Sequence, residues 1–112
     1  MDPTVTDPDK YVCIFENPRV RVLAYTDSPG EATHAHAHPD SVMITLSGFR
    51  RRLTVGDLER DVVLEPGEVR WLDAQEHRGE NIGETPTQVI FVELKEPRPQ
   101  DAPPAPGALG PS

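Results

Sequence analysis

The segment PGEATHAHAHPDSVMITLSG, residues 29–48, places three histidines within five positions and follows them with an apolar run. A Pro-Gly pair at its start indicates a turn, and residues 42–48 are predicted to form a strand that ends at a glycine. Alternate side chains of a strand share one face, so we expect His34, His36 and His38 to point the same way. Two imidazoles at positions i and i+2 of a rigid strand can reach one metal ion, and a further ligand must come from elsewhere.

His77 is the one remaining histidine of the 112-residue chain. Taken alone, closely spaced histidines also occur on exposed strand edges, where they bind nothing. The residues by themselves therefore leave two interpretations open, a metal site that includes His77 and a solvent-exposed run.

The rest of the chain is punctuated by 13 prolines and 8 glycines, which favours many short strands over long helices. We expect a flexible arm at residues 1–10, one all-β domain at 11–96 and a disordered Pro/Ala/Gly-rich tail at 97–112. A sandwich or barrel is the architecture that eight or so short strands favour. The predicted strands are residues 11–16, 20–26, 42–48, 69–73, 76–83 and 87–95, with a hairpin over 51–64 that bends at Gly56-Asp57.

The formal net charge of −8 argues against binding to nucleic acid or to anionic membrane surfaces, since both would repel the chain. No apolar run approaches the roughly 20 residues that span a bilayer. The first ten residues lack the basic and apolar regions of a secretory signal. Cys13 is the only cysteine, which excludes an internal disulfide, and its strand-like setting predicts a buried, inert thiol. We therefore expect a cytoplasmic protein.

Two segments of the sequence resemble the two motifs of the cupin superfamily. Residues 29–48 resemble the first motif, in which a turn glycine precedes H-x-H and a strand then ends at a glycine. The segment PGEVRWLDAQEHRGENIG, residues 66–83, resembles the second, with His77 followed four positions later by Asn81. The ending VIFVELK is similar to small single-domain bacterial cupins of the kind linked to β-alanine degradation. The resemblance covers about residues 11–96.

This resemblance implies a double-stranded β-helix, an RmlC-like jelly-roll barrel, with one divalent transition metal ion per chain held inside it. The proline after the second motif-one histidine sets the register, so His36 and His38 take the ligand positions and His77 is the third ligand. His34 would then brace the ligands or line the mouth of the site. Imidazole ligands suit Fe(II), Zn, Ni and Cu, and the sequence does not choose among them.

The chain departs from the family pattern at one ligand position. Ser41 stands where the motif-one glutamate is expected, and serine is a poor metal ligand. Asp40 is adjacent and is a candidate fourth ligand if the strand continues regularly past Pro39. Asn81 shares strand parity with His77, so it either braces the site or serves the following turn.

Several residues are candidates for substrate binding. Arg50 and Arg52 are the candidate arginines. They share one face of a predicted strand, with Arg51 on the other face, and on the inward face they would bind a substrate carboxylate. A solvated charge run is the alternative. Tyr25 and Trp71 are candidate pocket walls, with packing in the core or in an interface as the alternative.

The resemblance implies a metal-binding cupin, but the cupin fold hosts many activities and does not fix the chemistry. The first hypothesis is a mononuclear metalloenzyme that acts on a small anionic molecule, by oxygenase-type chemistry or as an isomerase or lyase. The alternative is a non-enzymatic protein, either a metal-assisted small-molecule binder or sensor or a structural metal site. A third hypothesis is metal-free catalysis by a histidine base. Small cupins commonly pair through their sheets, so the resemblance also implies a homodimer.

Overall fold

The computed structural model describes residues 1–96 and 108–112. Within these residues one short helix precedes nine strands, which occur in this chain order: α1(Pro3–Thr6), β1(Tyr11–Glu16), β2(Val20–Asp27), β3(His36–His38), β4(Ser41–Thr45), β5(Phe49–Val55), β6(Leu58–Leu64), β7(Val69–Leu72), β8(Gln75–Asn81) and β9(Thr87–Leu94). The predicted β-rich domain is confirmed, and the β5–β6 bend falls at Gly56, whose φ of +55° suits glycine in a tight hairpin.

The strands form two antiparallel sheets that pack face to face. The five-stranded sheet has the order β1-β2-β9-β4-β7, and the four-stranded sheet has the order β3-β8-β5-β6. The chain crosses between the sheets at every step from β2 to β5 and from β6 to β9, as in a double-stranded β-helix, while β1–β2 and β5–β6 pair within one sheet. The main core between them is aromatic and aliphatic, and it consists of Tyr11, Leu23, Tyr25, Met43, Phe49, Leu64, Leu72, Val89 and Phe91.

The outer face of the five-stranded sheet is also apolar. Strand pairing aligns its outward side chains into two rows that cross all five strands. These outer apolar rows are Phe15–Val22–Val92–Val42–Trp71 and Val12–Ala24–Ile90–Ile44–Val69. No charged residue belongs to either row, although charged residues make up 27% of the chain. An uncharged sheet face of this width is unusual for a surface that meets only water.

Three local expectations are corrected. The expected flexible arm contains α1, whose cap Asp2 accepts the Thr4 N–H at 2.8 Å, and Asp7 behind it is only 2% exposed. Part of the expected disordered tail, residues 108–112, packs on the barrel, while residues 97–107 lie outside the described residues. Cys13 is exposed rather than buried, because β1 is an edge strand and no residue within 1–96 or 108–112 covers that position.

Among the described residues, no helix is both long enough and apolar enough to cross a membrane.

Candidate metal centre

Three of the four histidines meet inside the barrel. His36 and His77 lie directly opposite each other in the β3–β8 pair, and His38 follows two residues along β3. Their ring centroids are 4.7–5.1 Å apart, and one nitrogen from each ring lies within 4.8 Å of the others. All three side chains are buried. The structure therefore brings together the three residues that the sequence predicted as ligands.

Each of the three rings has an oxygen acceptor at its Nδ1 atom. The acceptors differ in chemical type, since one is a backbone carbonyl, one a side-chain amide and one a carboxylate. They are His34 O, 2.8 Å from His36; Gln75 Oε1, 2.7 Å from His77; and Glu93 Oε2, 3.2 Å from His38. An acceptor at Nδ1 selects the tautomer with its hydrogen on Nδ1, which leaves Nε2 with a free lone pair.

The Nε2 atoms show how well the cluster suits a metal ion. His38 Nε2 is buried and has no hydrogen-bond partner among the described residues. His36 Nε2 lies a long 3.4 Å from the Tyr11 hydroxyl. A buried nitrogen without a partner costs free energy unless something binds it, and a transition metal ion is the ligand that neutral imidazole prefers. The donor set therefore fits the divalent transition metal ion that the resemblance implies.

Burial also keeps two of the rings neutral. Desolvation, and after it the neighbouring His38, lowers the pKa of His36 to about 4. Desolvation, with His38 and then His36, lowers the pKa of His77 to about 2. Metal coordination needs the neutral ring, so these shifts favour a metal ion over a proton at neutral pH.

Glu93 is a buried residue beside the histidine cluster that the sequence does not single out. Its carboxylate is buried between His38 and Arg21, whose guanidinium donates to Glu93 Oε1 at 2.7 and 3.0 Å. A carboxylate that accepts from a ligand's Nδ1–H fixes the ring and raises the basicity of Nε2. The signal was present in β9, where Val89 and Phe91 face inward and Glu93 continues the same parity. Ser41, at the position where the resemblance places a glutamate ligand, does not join the histidines. Its hydroxyl donates to Pro39 O at 2.7 Å.

A small cavity of about 40 Å³ adjoins two of the histidines, with room for about three water molecules. Its wall is mainly apolar and aromatic. The lining residues are Tyr11, Tyr25, Thr33, His36, Met43, Phe49, Arg51, Leu53, Val62, His77, Gly79, Thr87, Val89, Phe91 and Pro111. Tyr25, a predicted pocket wall, is in this set.

Arg51 provides the cationic group of the cavity wall. Its guanidinium pairs with Asp27 and also donates to the Tyr25 hydroxyl at 3.1 Å and to Thr87 Oγ1 at 3.1 Å. Burial opposes the charged form of Asp27, but Arg51, Tyr25 and Asn81 together overcome it and lower the pKa of this carboxyl. The result is a buried ion pair whose arginine reaches the cavity.

The prediction that Arg50 and Arg52 bind substrate is wrong in its choice of strand face. Both lie on the outer face of β5, where Arg52 pairs with Asp61 at 2.9 Å and Arg50 is mostly exposed. Phe49 and Leu53 are buried and share the parity of Arg51, so the apolar residues two positions away on either side indicate the inward face.

Trp71 also differs from its prediction as a pocket wall. It lies on the outside of β7 within the outer apolar rows, and its indole N–H donates to Asp73 at 2.9 Å. The neighbouring Leu72 is the inward residue of that strand. Trp71 therefore matches the other interpretation, that of a residue available for an interface.

The remaining candidate residues lie outside the histidine cluster. His34 precedes β3, its side chain is 80% exposed, and its Nδ1 lies 3.0 Å from Asp7. Because β3 begins only at His36, His34 does not share the face of the other two histidines. Its carbonyl nevertheless holds His36. The Asp40 carboxylate accepts the Ala74 N–H at 2.8 Å and does not join the cluster.

Asn81 serves the turn after β8 and the buried ion pair rather than the histidines. Its side-chain oxygen accepts the Gly83 N–H at 3.0 Å. Its amide donates to Thr85 O at 2.8 Å and to Asp27 at 3.1 Å. Of the two roles considered for Asn81, the structure therefore favours the turn.

Comparison with known proteins identifies the fold. No family model matches the chain, and no curated protein matches it. Among solved structures, a cupin domain from Bordetella pertussis Tohama I has 23% identity over 77% of this chain and 92% of its own, with a TM-score of 0.71. An RmlC-like cupin family protein with a double-stranded β-helix fold from Methanocaldococcus jannaschii has 16% identity over 79% and 83%, with a TM-score of 0.60.

The polyketide cyclase RemF from Streptomyces resistomycificus is also similar, with 20% identity over 80% of this chain and 66% of its own and a TM-score of 0.58. At these identities the likeness concerns the arrangement of strands and does not extend to activity. Together with the two interleaved sheets and the inward histidines of β3 and β8, it establishes that the chain has the cupin fold, a double-stranded β-helix.

Proposed function

We propose that this cupin is a mononuclear metalloenzyme that binds one divalent transition metal ion through His36, His38 and His77. The observation that carries the proposal is the set of three buried imidazoles whose Nδ1 atoms all have acceptors and which each place one nitrogen within 4.8 Å of the others. Anchored ring orientations of this kind are typical of metal ligands, whereas solvent-exposed histidines do not need them.

The cavity supports a small substrate. It adjoins His36 and His77, and its volume of about 40 Å³ admits only a few non-hydrogen atoms beside an ion. Three neutral nitrogen ligands leave the charge of a divalent ion uncompensated, which favours an anionic substrate. Arg51 is the cation that the cavity offers to such a substrate, and the Tyr25 hydroxyl beside it adds a polar contact.

The reaction depends on which metal is bound. Fe(II) would supply oxygenase-type chemistry, while zinc or nickel would act as a Lewis acid in an isomerase or lyase. The protein residues would fix and orient the substrate and exclude water. Tyr11, whose hydroxyl lies 3.4 Å from His36 Nε2, is placed to donate a hydrogen bond to a substrate that lies next to the ligands.

A second candidate function is a metal-assisted small-molecule binder or sensor. The observation that favours it is the absence of a carboxylate among the described residues that line the cavity. Asp27 is paired with Arg51, and Glu93 lies behind His38, so neither is free to act as a general base. A binder would need the metal ion and the cavity but no base.

Azide binding to the cobalt form tests whether the site has open coordination positions. We expect azide to change the visible spectrum of the Co(II) protein, because three protein ligands leave room for an exogenous anion. Chloride at the same ionic strength is the control and should change it far less. A spectrum that azide leaves unaltered would indicate a closed structural site and would rule out the enzyme proposal.

We also propose that two copies pair through the outer apolar rows. Each chain carries a net charge of −8, so two copies approach with least repulsion where neither has charge, and the rows form such a face. A face that packs on its own copy about a two-fold axis is the commonest arrangement of homodimers.

Val92→Lys should convert this dimer to a monomer, because Val92 lies in the middle strand of one row. Val63→Lys is the matched control, since Val63 is 66% exposed on β6 of the other sheet and the charge change is the same. Sedimentation of the three proteins measures the mass in solution. A monomeric wild-type protein, or a Val92→Lys variant that stays dimeric, would overturn the proposed interface.

A further inference from the structure

Residues 108–112 cross the barrel beside the cavity and contact both sheets. We call these five residues the C-terminal strap. Leu109 is 4% exposed and packs on Leu53 and Val62 of the four-stranded sheet. At the other end of the strap, the Ser112 N–H donates to the carbonyl of Trp71, in the five-stranded sheet, at 2.9 Å. The strap therefore joins the two sheets.

Polar contacts fix the backbone of the strap. The Nη1 atom of Arg60, in β6, donates to the carbonyls of Leu109 and Pro111, at 2.8 and 3.3 Å. Gly110 has a φ of +79°, and a Cβ added there would lie 2.7 Å from Leu53 Cδ1. The left-handed φ favours glycine, and a larger residue would also have to displace the Leu53 side chain, so the sequence suits the docked position.

The strap also contacts the group that orients a histidine of the cluster. The Gly110 N–H donates to Gln75 Oε1 at 2.7 Å, and the same oxygen accepts the Nδ1–H of His77 at 2.7 Å. Gln75 donates in turn to Asp73 O at 2.9 Å, which fixes its amide. One side-chain oxygen therefore links the strap to a metal ligand.

The strap forms part of the cavity wall as well. Pro111 lines the cavity beside His36 and His77. Leu53 and Val62 also line it, and Leu109 packs against both of them. Without the strap the cavity would be open along this side, so the strap limits both the size of the space and the access to it.

We propose that the C-terminal strap determines which molecules enter the cavity beside His36 and His77, by restricting it to small ones, and that Gln75 is a positioning residue that joins the strap to His77. The limit on the size of molecules in the cavity follows from the residues of its wall alone. The role of Gln75 toward His77 as a metal ligand rests on the proposed function.

Acylation of the metal-free protein by diethyl pyrocarbonate tests the closure without any metal. His34 is an internal reference, because its side chain is 80% exposed. We expect His77 to react at least about tenfold more slowly than His34 in the wild-type protein, because its side chain is buried and adjoins the cavity that the strap helps to close. Gly110→Ala should speed the reaction of His77 about tenfold, since a left-handed φ and a clash with Leu53 both oppose docking.

Gly67→Ala is the matched control. Gly67 has a φ of +80°, like Gly110, but a Cβ there meets nothing within 4 Å. The Gly67→Ala variant should therefore leave the acylation rate of His77 unchanged. Arg60→Met is a second test variant that removes the contacts to the strap carbonyls without backbone strain, and it should act in the same direction as Gly110→Ala. The proposal fails if His77 of the wild-type protein reacts as fast as His34, or if neither test variant speeds its reaction.

Release of zinc to a chelator then tests the link through Gln75. We expect faster release from the Gly110→Ala and Gln75→Leu variants than from the wild-type protein, and Gln75→Glu should restore slow release because it keeps an acceptor oxygen. Equal release rates in all of these proteins would overturn the positioning role of Gln75. If the wild-type protein holds no zinc, the proposed metal function fails, whereas the acylation rates still decide whether the strap closes the cavity.

Discussion

Replacing His77 by alanine should lower the affinity for zinc by roughly 100- to 1,000-fold. Structural zinc sites with four ligands have binding free energies of about 10–16 kcal/mol, so that one ligand contributes about 2.5–4 kcal/mol. Glu93→Gln should have a smaller effect, about 10- to 100-fold, because it weakens the acceptor at His38 Nδ1 but leaves all three ligands. Competition with a chromogenic chelator measures these affinities.

His34→Ala is the control for this series. It removes a histidine from the same HAHAH run but leaves the backbone carbonyl that accepts from His36. Its affinity for zinc should match that of the wild-type protein. A loss as large as that of His77→Ala would place the metal at the exposed side of the run, near His34 and Asp7, and would contradict the assignment.

Replacing Arg51 by methionine should destabilise the protein by about 3–5 kcal/mol. Asp27 would then be left as a buried carboxylate without its cation, and removal of one partner of a buried ion pair has a cost of this size. Since small domains are stable by only about 5–15 kcal/mol, this is a large fraction of the free energy of unfolding. Urea denaturation, monitored by circular dichroism, measures the change.

The double variant Arg51→Met/Asp27→Asn separates the lost ion pair from lost packing. It should recover a substantial part of the stability, because the amide no longer carries a buried charge. Arg52→Met, which breaks the exposed pair with Asp61 on the outer face of the same strand, should change the stability far less. If Arg51→Met unfolds at the same urea concentration as the wild-type protein, the buried network has no structural role.

Strand positions were well predicted from the sequence because turn residues separate short apolar runs along the whole chain. The β5–β6 hairpin is an example, since the alternation of residue types on both sides of Gly56 is enough to predict it. The histidine cluster was predicted for a related reason. His36 and His38 share strand parity, and the resemblance to the cupin motifs then indicated His77 as their partner.

The errors occurred where polar residues alone had to indicate which face of a strand points inward. Arg50 and Arg52 were preferred to Arg51, although the buried Phe49 and Leu53 set the inward face. His34 was placed on the ligand face because the strand was assumed to begin before His36. In both cases local sequence does not show where pairing with a neighbouring strand begins or which face it buries.

The contacts that complete the site were not predictable from local pattern. Glu93 follows His38 by 55 residues, and only the sandwich brings β9 against β3. The contact of Gly110 with Gln75 is also long-range. A Pro/Gly-rich composition by itself indicates disorder, and only the surface on which the segment packs shows otherwise. Such long-range contacts depend on the closed barrel and not on the residues next to them.

The central claim, that one metal ion is held by three imidazoles inside the barrel, is tested most directly by diffraction at the zinc absorption edge from crystals of the zinc-loaded protein. We predict one anomalous peak per chain, about 2.0–2.1 Å from the Nε2 atoms of His36, His38 and His77. A peak beside His34 and Asp7, or no peak within the barrel, would contradict the account.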